Sequence, residues 1–228
     1  MSGLGNELAT SACVLLRTIV ALSETVGAQG TERPPSDAES TPKPEQDPAV
    51  YRVQFGVGTA SIVTETPSSD EYDHIDLDGL CWQLGFDLAG QIYPNLLAQL
   101  RFAFAVMSEP DISADGDAGF EAKDLSLLMG AVGLGATYYL MPLNVFATAA
   151  AGVTQFDMRT GRGDDIELAH TDLGLWLNAD LGWEARLDDD WNLGLAARGV
   201  FTTMGGGDGS QVYGTSLGLV ASLTWMDR

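Results

Sequence analysis

Residues 80–106 read LCWQLGFDLAGQIYPNLLAQLRFAFAV, and this stretch decides the fold. In each arm every second residue is apolar, and the residues between are small or polar, such as Gln83, Asp87, Gln99 and Arg101. A period of two places alternate residues on opposite faces of a β-strand. The Gly, Pro and Asn between the arms favour a tight turn. The stretch therefore predicts a β-hairpin with one apolar face, whose arms are long enough to cross a bilayer as tilted strands.

The same alternation begins at residue 49 and continues almost to the end of the chain. Long acidic connections alternate with short turns, which is the layout of outer-membrane barrels, and an even number of strands brings both ends to the short-turn side. We therefore predict an all-β fold, an eight-stranded antiparallel up-and-down transmembrane β-barrel. Besides the two hairpin arms, the predicted strands cover residues 49–63, 125–140, 145–156, 171–187, 191–203 and 212–225.

The charge is strongly acidic and confined to a few segments. The 228 residues carry a net charge of −21, yet the mean hydropathy is +0.05. These values agree if the acidic residues lie in solvated loops between apolar strands. Such a charge excludes a nucleic-acid partner. The only cysteines, Cys13 and Cys81, provide no disulfide or zinc framework, and Cys81 is expected to be a small packing residue.

The first 48 residues differ from the rest. Residues 1–28 resemble a secretory signal peptide, with an apolar run at 12–22 and small residues before a cleavage point at Ala28. Arg17 interrupts that run, so a loosely helical terminus or a wrongly assigned start is the other interpretation. Residues 29–48 contain five prolines and few apolar residues, which predicts a disordered periplasmic linker. The barrel domain is then 49–228.

Two other folds could produce a similar pattern. A soluble lipocalin-like barrel also alternates, but with its apolar side chains inward, and residues 125–153 could form a membrane helix. The abundance of Gly and Ala on the less apolar face favours instead the narrow interior of a small barrel, which must close because lipid satisfies no open edge. An interfacial aromatic girdle is predicted from Tyr51, Tyr93, Tyr138, Tyr139, Trp183, Trp191 and Trp225.

The inward face is predicted to be polar and ion-paired. Its candidate ion-pair or gate residues are Arg52, Asp87, Arg101, Asp180, Glu184, Arg186 and Arg198, and its polar residues are Gln54, Gln83, Gln99 and Asn178. Charges away from water need partners. Three aspartates, residues 188–190, form a predicted turn. If Leu187 faces Trp191 across this Asp turn, the register places Asp180 opposite Arg198. Arg101 or Arg52 would then reach Asp87 or Glu184.

Two interpretations of this lumen remain open. The pairs could form a gate in a narrow pore, or they could be a packed polar core that admits no solute. The interiors of eight-stranded barrels are usually filled by side chains, which favours the packed core.

The chain resembles the small outer-membrane β-barrels of Gram-negative bacteria, the OmpA/OmpX/OmpW-like transmembrane domains. The resemblance is carried by LGATYYLMPLN (134–144), by GWEARLDDDW (182–191) and by the closing strand from Gly218 to Trp225. That closing strand resembles the signal read by the barrel-insertion machinery, although Met226, Asp227 and Arg228 follow its last aromatic residue. The resemblance implies the architecture and a bacterial outer-membrane location.

The expected role is structural or surface-interacting, with acidic extracellular loops. A narrow porin-like channel for small solutes is the alternative, and a barrel enzyme acting on outer-membrane lipid or protein is a remote third. His74 and His170 lie in loops with no nucleophile at a telling spacing, so no enzyme is predicted. Asp111, Asp115 and Asp117 lack the Glu that completes a calcium loop. No metal or cofactor is expected, and the predicted partners are outer-membrane lipid and the insertion machinery, with the protein a monomer.

Overall fold

The computed structural model describes residues 49–65, 74–114, 120–121, 125–162, 165–206 and 209–227. The predicted signal peptide and linker lie outside these residues. Every strand pairing is antiparallel. The strands are β1 (Ala49–Glu65), β2 (His74–Tyr93), β3 (Leu96–Ser108), β4 (Asp111–Ala114), β5 (Phe120–Glu121), β6 (Leu125–Leu140), β7 (Val145–Arg162), β8 (Asp165–His170), β9 (Gly174–Arg186), β10 (Trp191–Gly205) and β11 (Gln211–Asp227).

Eight of these strands close into a barrel. The order is β1-β11-β10-β9-β7-β6-β3-β2, and β2 pairs back onto β1. This confirms the predicted fold class and its closed eight-stranded architecture. The short strands β4, β5 and β8 extend the sheet beyond the barrel. They were not predicted, because their acidic segments carry no run of alternating apolar residues.

The membrane-helix interpretation of residues 125–153 is wrong. Those residues form β6 and β7, joined by the turn at Met141–Asn144. Within the described ranges, no helix has the length and apolar character needed to cross a bilayer.

The short turns use residues suited to left-handed backbone. Asn95, after β2, has φ of 66°, and Asn144, before β7, has φ of 53°. Asn tolerates this region because its short polar side chain bonds locally. In the β9–β10 turn, Asp188 Oδ1 accepts hydrogen bonds from the backbone N–H groups of Asp190 and Trp191, at 2.9 and 2.8 Å. Each of these turns sets the register between the two strands that it joins.

The outer face of the barrel is apolar. Phe55 is 56% exposed, Leu134 71% and Leu217 72%. The lipocalin-like interpretation, which needs such side chains inside, is therefore wrong.

Aromatic residues near the short turns lie on this outer face. Trp225 stacks on Tyr51 with ring centroids 5.1 Å apart and on Trp191 at 6.4 Å. Exposed aromatic side chains also include Tyr93, Tyr138 and Trp183.

Tyr139 is the exception, and its assignment to the girdle was wrong. Its side chain is buried inside the barrel. Consecutive strand residues point to opposite faces, so Tyr138 and Tyr139 never share one face. The outward side chain is that of Tyr138.

Strands β6 and β7 approach each other closely at one inward position. Gly133 of β6 lies opposite Gly152 of β7. A Cβ added at Gly152 would collide with the Val132 carbonyl oxygen and the Gly133 Cα. Glycine at this inward position is therefore a packing requirement.

Candidate functional site in the barrel lumen

Six charged side chains meet inside the barrel and are called here the charge network. All are at most 4% exposed, and they balance, with three guanidinium and three carboxylate groups. They come from β1, β2, β3, β9 and β10, so the network crosses the lumen rather than following one wall. Its members are Arg52, Asp87, Arg101, Asp180, Glu184 and Arg198.

Asp180 joins two arginines. Arg198, directly opposite in the β9–β10 register, places Nε 2.8 Å from Asp180 Oδ1 and Nη2 3.0 Å from Oδ2. Arg101 Nη1 donates to the same Oδ2 at 2.7 Å. The Asp180–Arg198 contact lies at the register position that the sequence predicted, because the turn before Trp191 sets that register.

Arg101 connects Asp180 to Asp87. Its Nε and Nη2 donate to the two Asp87 oxygens at 2.6 and 2.7 Å, the bidentate geometry in which a guanidinium binds a carboxylate most strongly. Arg101 also donates to Asn178 Oδ1, and Asn178 Nδ2 donates to Asp180 Oδ1 at 3.2 Å. The predicted polar residue Asn178 thus forms hydrogen bonds with two members of the charge network.

Arg52 completes the network at Glu184. Arg52 Nη2 lies 3.0 Å from Glu184 Oε1, and Arg52 Nη1 lies 3.8 Å from Asp87 Oδ2. The guanidinium carbon also lies 4.9 Å from the centroid of the Phe146 ring, a cation–π arrangement. Asp87 and Glu184 were predicted as partners of Arg52 or Arg101, and Arg52 lies close to both.

Sequence reasoning missed two hydroxyl groups of this site. The Tyr139 hydroxyl accepts a hydrogen bond from Arg52 and donates one to Glu184 Oε2 at 3.1 Å. Thr224 Oγ1 accepts from Arg52 Nε and donates to Glu184 Oε1, both at 3.1 Å. Strand parity would have found Tyr139, since it shares a face with Thr137 and Gly135.

The three glutamines occupy the lumen at different places. Gln54 Oε1 accepts from Arg198 Nη2 at 2.7 Å, and Gln99 Oε1 accepts from Thr137 at 2.7 Å. Gln83 Nε2 lies 3.4 Å from Ser216 Oγ and 3.6 Å from Cys81 Sγ.

Arg186 does not belong to the charge network, and its prediction as a lumen residue was wrong. Its side chain is 53% exposed and pairs with Asp189 Oδ1 at 2.7 Å. Its Nε also donates to the Asp188 carbonyl oxygen at 2.8 Å. Arg186 keeps the inward parity of β9 but is the last residue of that strand, so its side chain reaches the Asp turn.

Toward the long-loop end the lumen changes character. A cavity of about 30 Å³ lies there, bounded mainly by apolar side chains, and is called here the apolar cavity. The sequence predicted a polar, ion-paired lumen and an inward face of small or polar residues, and it did not predict this apolar layer. Its walls include Ile62, Cys81, Met107, Leu127, Met129 and Phe156.

No protein-family model and no curated protein matches this chain. Among solved structures, Ail of Yersinia pestis aligns at 13% identity and TM-score 0.44, covering 78% of this chain and 99% of that one. Neisserial surface protein A aligns at 12% identity and TM-score 0.45, covering 77% and 96%. The outer membrane protein OprG of Pseudomonas aeruginosa aligns at 13% identity and TM-score 0.45, covering 78% and 96%.

A histidine and a carboxylate also lie close together on β2, outside the charge network. His74 Nε2 lies 3.1 Å from Asp76 Oδ1, and both side chains are partly exposed. Across the described part of the chain, no three His, Cys, Asp or Glu side chains converge as metal ligands. The lumen itself therefore provides apolar packing toward the long-loop end and ion pairing on the short-turn side of that layer.

Proposed function

We propose that this protein is a bacterial outer-membrane β-barrel with a structural or surface-interaction role, whose lumen passes no solute. It would hold its acidic loops at the cell surface on a rigid, lipid-embedded support. The observation that carries this proposal is the combination of an apolar outer face with a lumen filled by the charge network.

The outer face supports the lipid location. Exposed apolar side chains surround the barrel on β1, β2, β6, β9, β10 and β11, and large exposed apolar patches mark membrane or protein interaction surfaces. In a bilayer these side chains contact acyl chains, and closure pairs each of the eight barrel strands on both sides, so that none of the eight presents an open edge to lipid. The aromatic residues at the short-turn end would lie at one membrane–water interface.

The interior supports a closed lumen. At one level, paired guanidinium and carboxylate groups cross the barrel, and each is at most 4% exposed. At another level, the apolar cavity offers mainly carbon and sulfur surface. An ion crossing this layer would lose its hydration with few polar groups to replace it. Opening the charge network alone would therefore leave a second barrier.

A narrow channel is the second candidate, and the shared contacts within the charge network are the observation behind it. Arg101 bridges two carboxylates and Asp180 bridges two arginines. Such shared contacts offer alternative pairings within the same set of charges, and a rearrangement could widen the polar level.

The membrane location is tested by cell fractionation combined with gel mobility before and after boiling. We expect the protein in the outer-membrane fraction, with a band that shifts on boiling because the closed barrel resists detergent. Recovery in the soluble fraction without a shift would refute the lipid-embedded barrel.

The closed lumen is tested by single-channel recording in planar bilayers. We expect no steady conductance from the wild type or from Asp180→Ala, since the apolar layer remains in both. The matched control is Asp189→Ala, which changes a carboxylate in the exposed turn. A steady wild-type conductance that Asp180→Ala alone enlarges or abolishes would establish the channel instead.

A further inference from the structure

Three sulfur-bearing side chains border the apolar cavity. They are Cys81 on β2, Met107 on β3 and Met129 on β6, three neighbouring strands of the barrel. We propose that they form a binding site for one soft, monovalent metal ion of the Cu(I) class. The proposal goes beyond the structural role of the barrel and is independent of whether the lumen conducts.

The strand register places the three side chains next to one another on the inner face. Cys81 lies directly opposite Met107 in the β2–β3 pairing, and Met129 lies opposite Ala105, two residues from Met107 on β3. Directly paired residues have Cβ atoms about 4.5–5.5 Å apart, and diagonal neighbours remain within reach of long side chains. All three side chains are buried on the inner face, at 7% exposure or less.

The size of the cavity suits a single ion. On this measure a cavity needs roughly 10–15 Å³ to hold one water molecule, so about 30 Å³ accommodates one ion with slight adjustment of its ligands. Methionine adapts readily, because its unbranched chain has three rotatable bonds.

The ligand chemistry selects the metal class. Thiolate and thioether groups are soft ligands that favour Cu(I), whereas Mg²⁺ and Ca²⁺ require oxygen ligands. The thiolate would cancel the charge of a monovalent cation, so the filled site would place no net charge in the apolar layer. On binding, the Cys81 thiol loses its proton to solvent and its sulfur bonds to the ion. No electron is transferred.

Gln83 provides a second, independent observation. Its side chain is 4% exposed, and its Oε1 accepts no hydrogen bond from the described residues. Its Nε2 lies 3.6 Å from Cys81 Sγ and 3.4 Å from Ser216 Oγ, both on the cavity wall. The amide would donate to the thiolate formed on metal binding, the kind of outer-shell contact that orients metal ligands.

The test is a Cu(I) titration of the full chain, folded in detergent under reducing, oxygen-free conditions, against a chromogenic Cu(I) chelator. All variants carry Cys13→Ser so that Cys81 is the only thiol. We expect one Cu(I) per barrel and an affinity that rises with pH, because binding releases a proton. X-ray absorption should show a first shell of three sulfur atoms.

Four variants locate the ligands. Cys81→Ser should lose the stoichiometric binding, and Met107→Leu and Met129→Leu, which nearly conserve volume, should each remove one sulfur from the first shell. Gln83→Leu should weaken binding about 10- to 100-fold, as loss of an outer-shell partner does. The control is Met141→Leu, whose side chain is 59% exposed in the β6–β7 turn, at the end of the barrel away from the cavity, and which should leave binding unchanged.

A band shift on boiling, unchanged from the wild type, shows that each variant is folded. Equal Cu(I) uptake by Cys81→Ser and the parent would overturn the site, as would the absence of stoichiometric binding in the parent. Loss in Cys81→Ser with full retention in both methionine variants would also overturn it, because a lone thiol would then be the ligand.

Discussion

Arg198 lies opposite Asp180 on the adjacent strand, with Nε 2.8 Å from Oδ1, and the same carboxylate binds Arg101 through its other oxygen. One carboxylate thus holds two guanidinium groups at 4% exposure or less. Asp180 therefore makes two kinds of contact, one with the neighbouring strand β10 through Arg198 and one across the barrel with β3 through Arg101.

Removing the Asp180 charge should strongly destabilise the barrel. Asp180→Asn leaves Arg101 and Arg198 short of a countercharge, and breaking a buried pair from one side costs about 3–5 kcal/mol. Urea unfolding from lipid vesicles, followed by tryptophan fluorescence, measures the free energy of unfolding. Asp189→Asn, which breaks the exposed pair with Arg186, should leave it unchanged. Equal losses in the two variants would contradict the buried network.

Tyr139 and Tyr138 should respond differently to loss of the hydroxyl. The Tyr139 hydroxyl bonds both Arg52 and Glu184 inside the barrel, so Tyr139→Phe should lower the free energy of unfolding by about 1–3 kcal/mol. Tyr138 is 47% exposed on the outer face, and Tyr138→Phe should have little effect. The same unfolding assay compares the two variants. A larger loss of stability in Tyr138→Phe than in Tyr139→Phe would contradict the burial of Tyr139 in the lumen.

The close approach of β6 and β7 gives a third prediction. Gly152→Ala would force a methyl group against the Val132 carbonyl, and such overpacking costs about 1–3 kcal/mol. A Cβ at Gly130, on the same pair of strands, meets no atom within 4 Å. Gly130→Ala should therefore be neutral, or stabilising by about 0.4–1 kcal/mol through the unfolded chain. Folding yield and unfolding midpoint in vesicles distinguish the two, and equal tolerance would refute the tight inner wall.

The lipid-facing surface can be tested with one charge at two depths. Leu134, within β6, and Leu143, in the β6–β7 turn, are 71% and 67% exposed. In a bilayer, Arg at a lipid-facing position near the midplane costs about 2–4 kcal/mol, falling to about 0–1 kcal/mol near the interface. Leu134→Arg should therefore destabilise the vesicle-embedded barrel far more than Leu143→Arg. A soluble barrel would tolerate both equally, because both side chains would already be in water.

Much of this architecture follows from local pattern. Strand β6 was predicted at its observed bounds, and β7 begins where the Met141–Asn144 turn predicted it. Alternation needs only the pleat of the strand, and short turns need only Gly, Pro and Asn, so both are readable from neighbouring residues. The extensions around β4, β5 and β8 were missed because pairing between backbones leaves no mark in acidic segments.

The contacts inside the lumen were harder to predict than the strands, because most of them join strands that are distant in the chain. Parity placed Asp180, Arg198, Arg101 and Asp87 on the inner face, and turn length set one pair. Parity also assigns Tyr139 to that face, but aromatic side chains near short turns are typical of the membrane interface, and that pattern predicted the wrong face for Tyr139.

By itself, the sequence determined the number of barrel strands, the face to which most side chains point and the register of the β9–β10 hairpin, since each depends on residues within one hairpin. Only the tertiary structure decided which residues meet across the barrel. Arg52 reaches Glu184, and Arg101 reaches Asp180, because closure joins β1 to β11 and sets the stagger of strands distant in the chain. The apolar cavity likewise arises from residues of several strands at one height. The position of a residue along the barrel axis depends on the stagger of the whole closed sheet, and it cannot be read from a single hairpin.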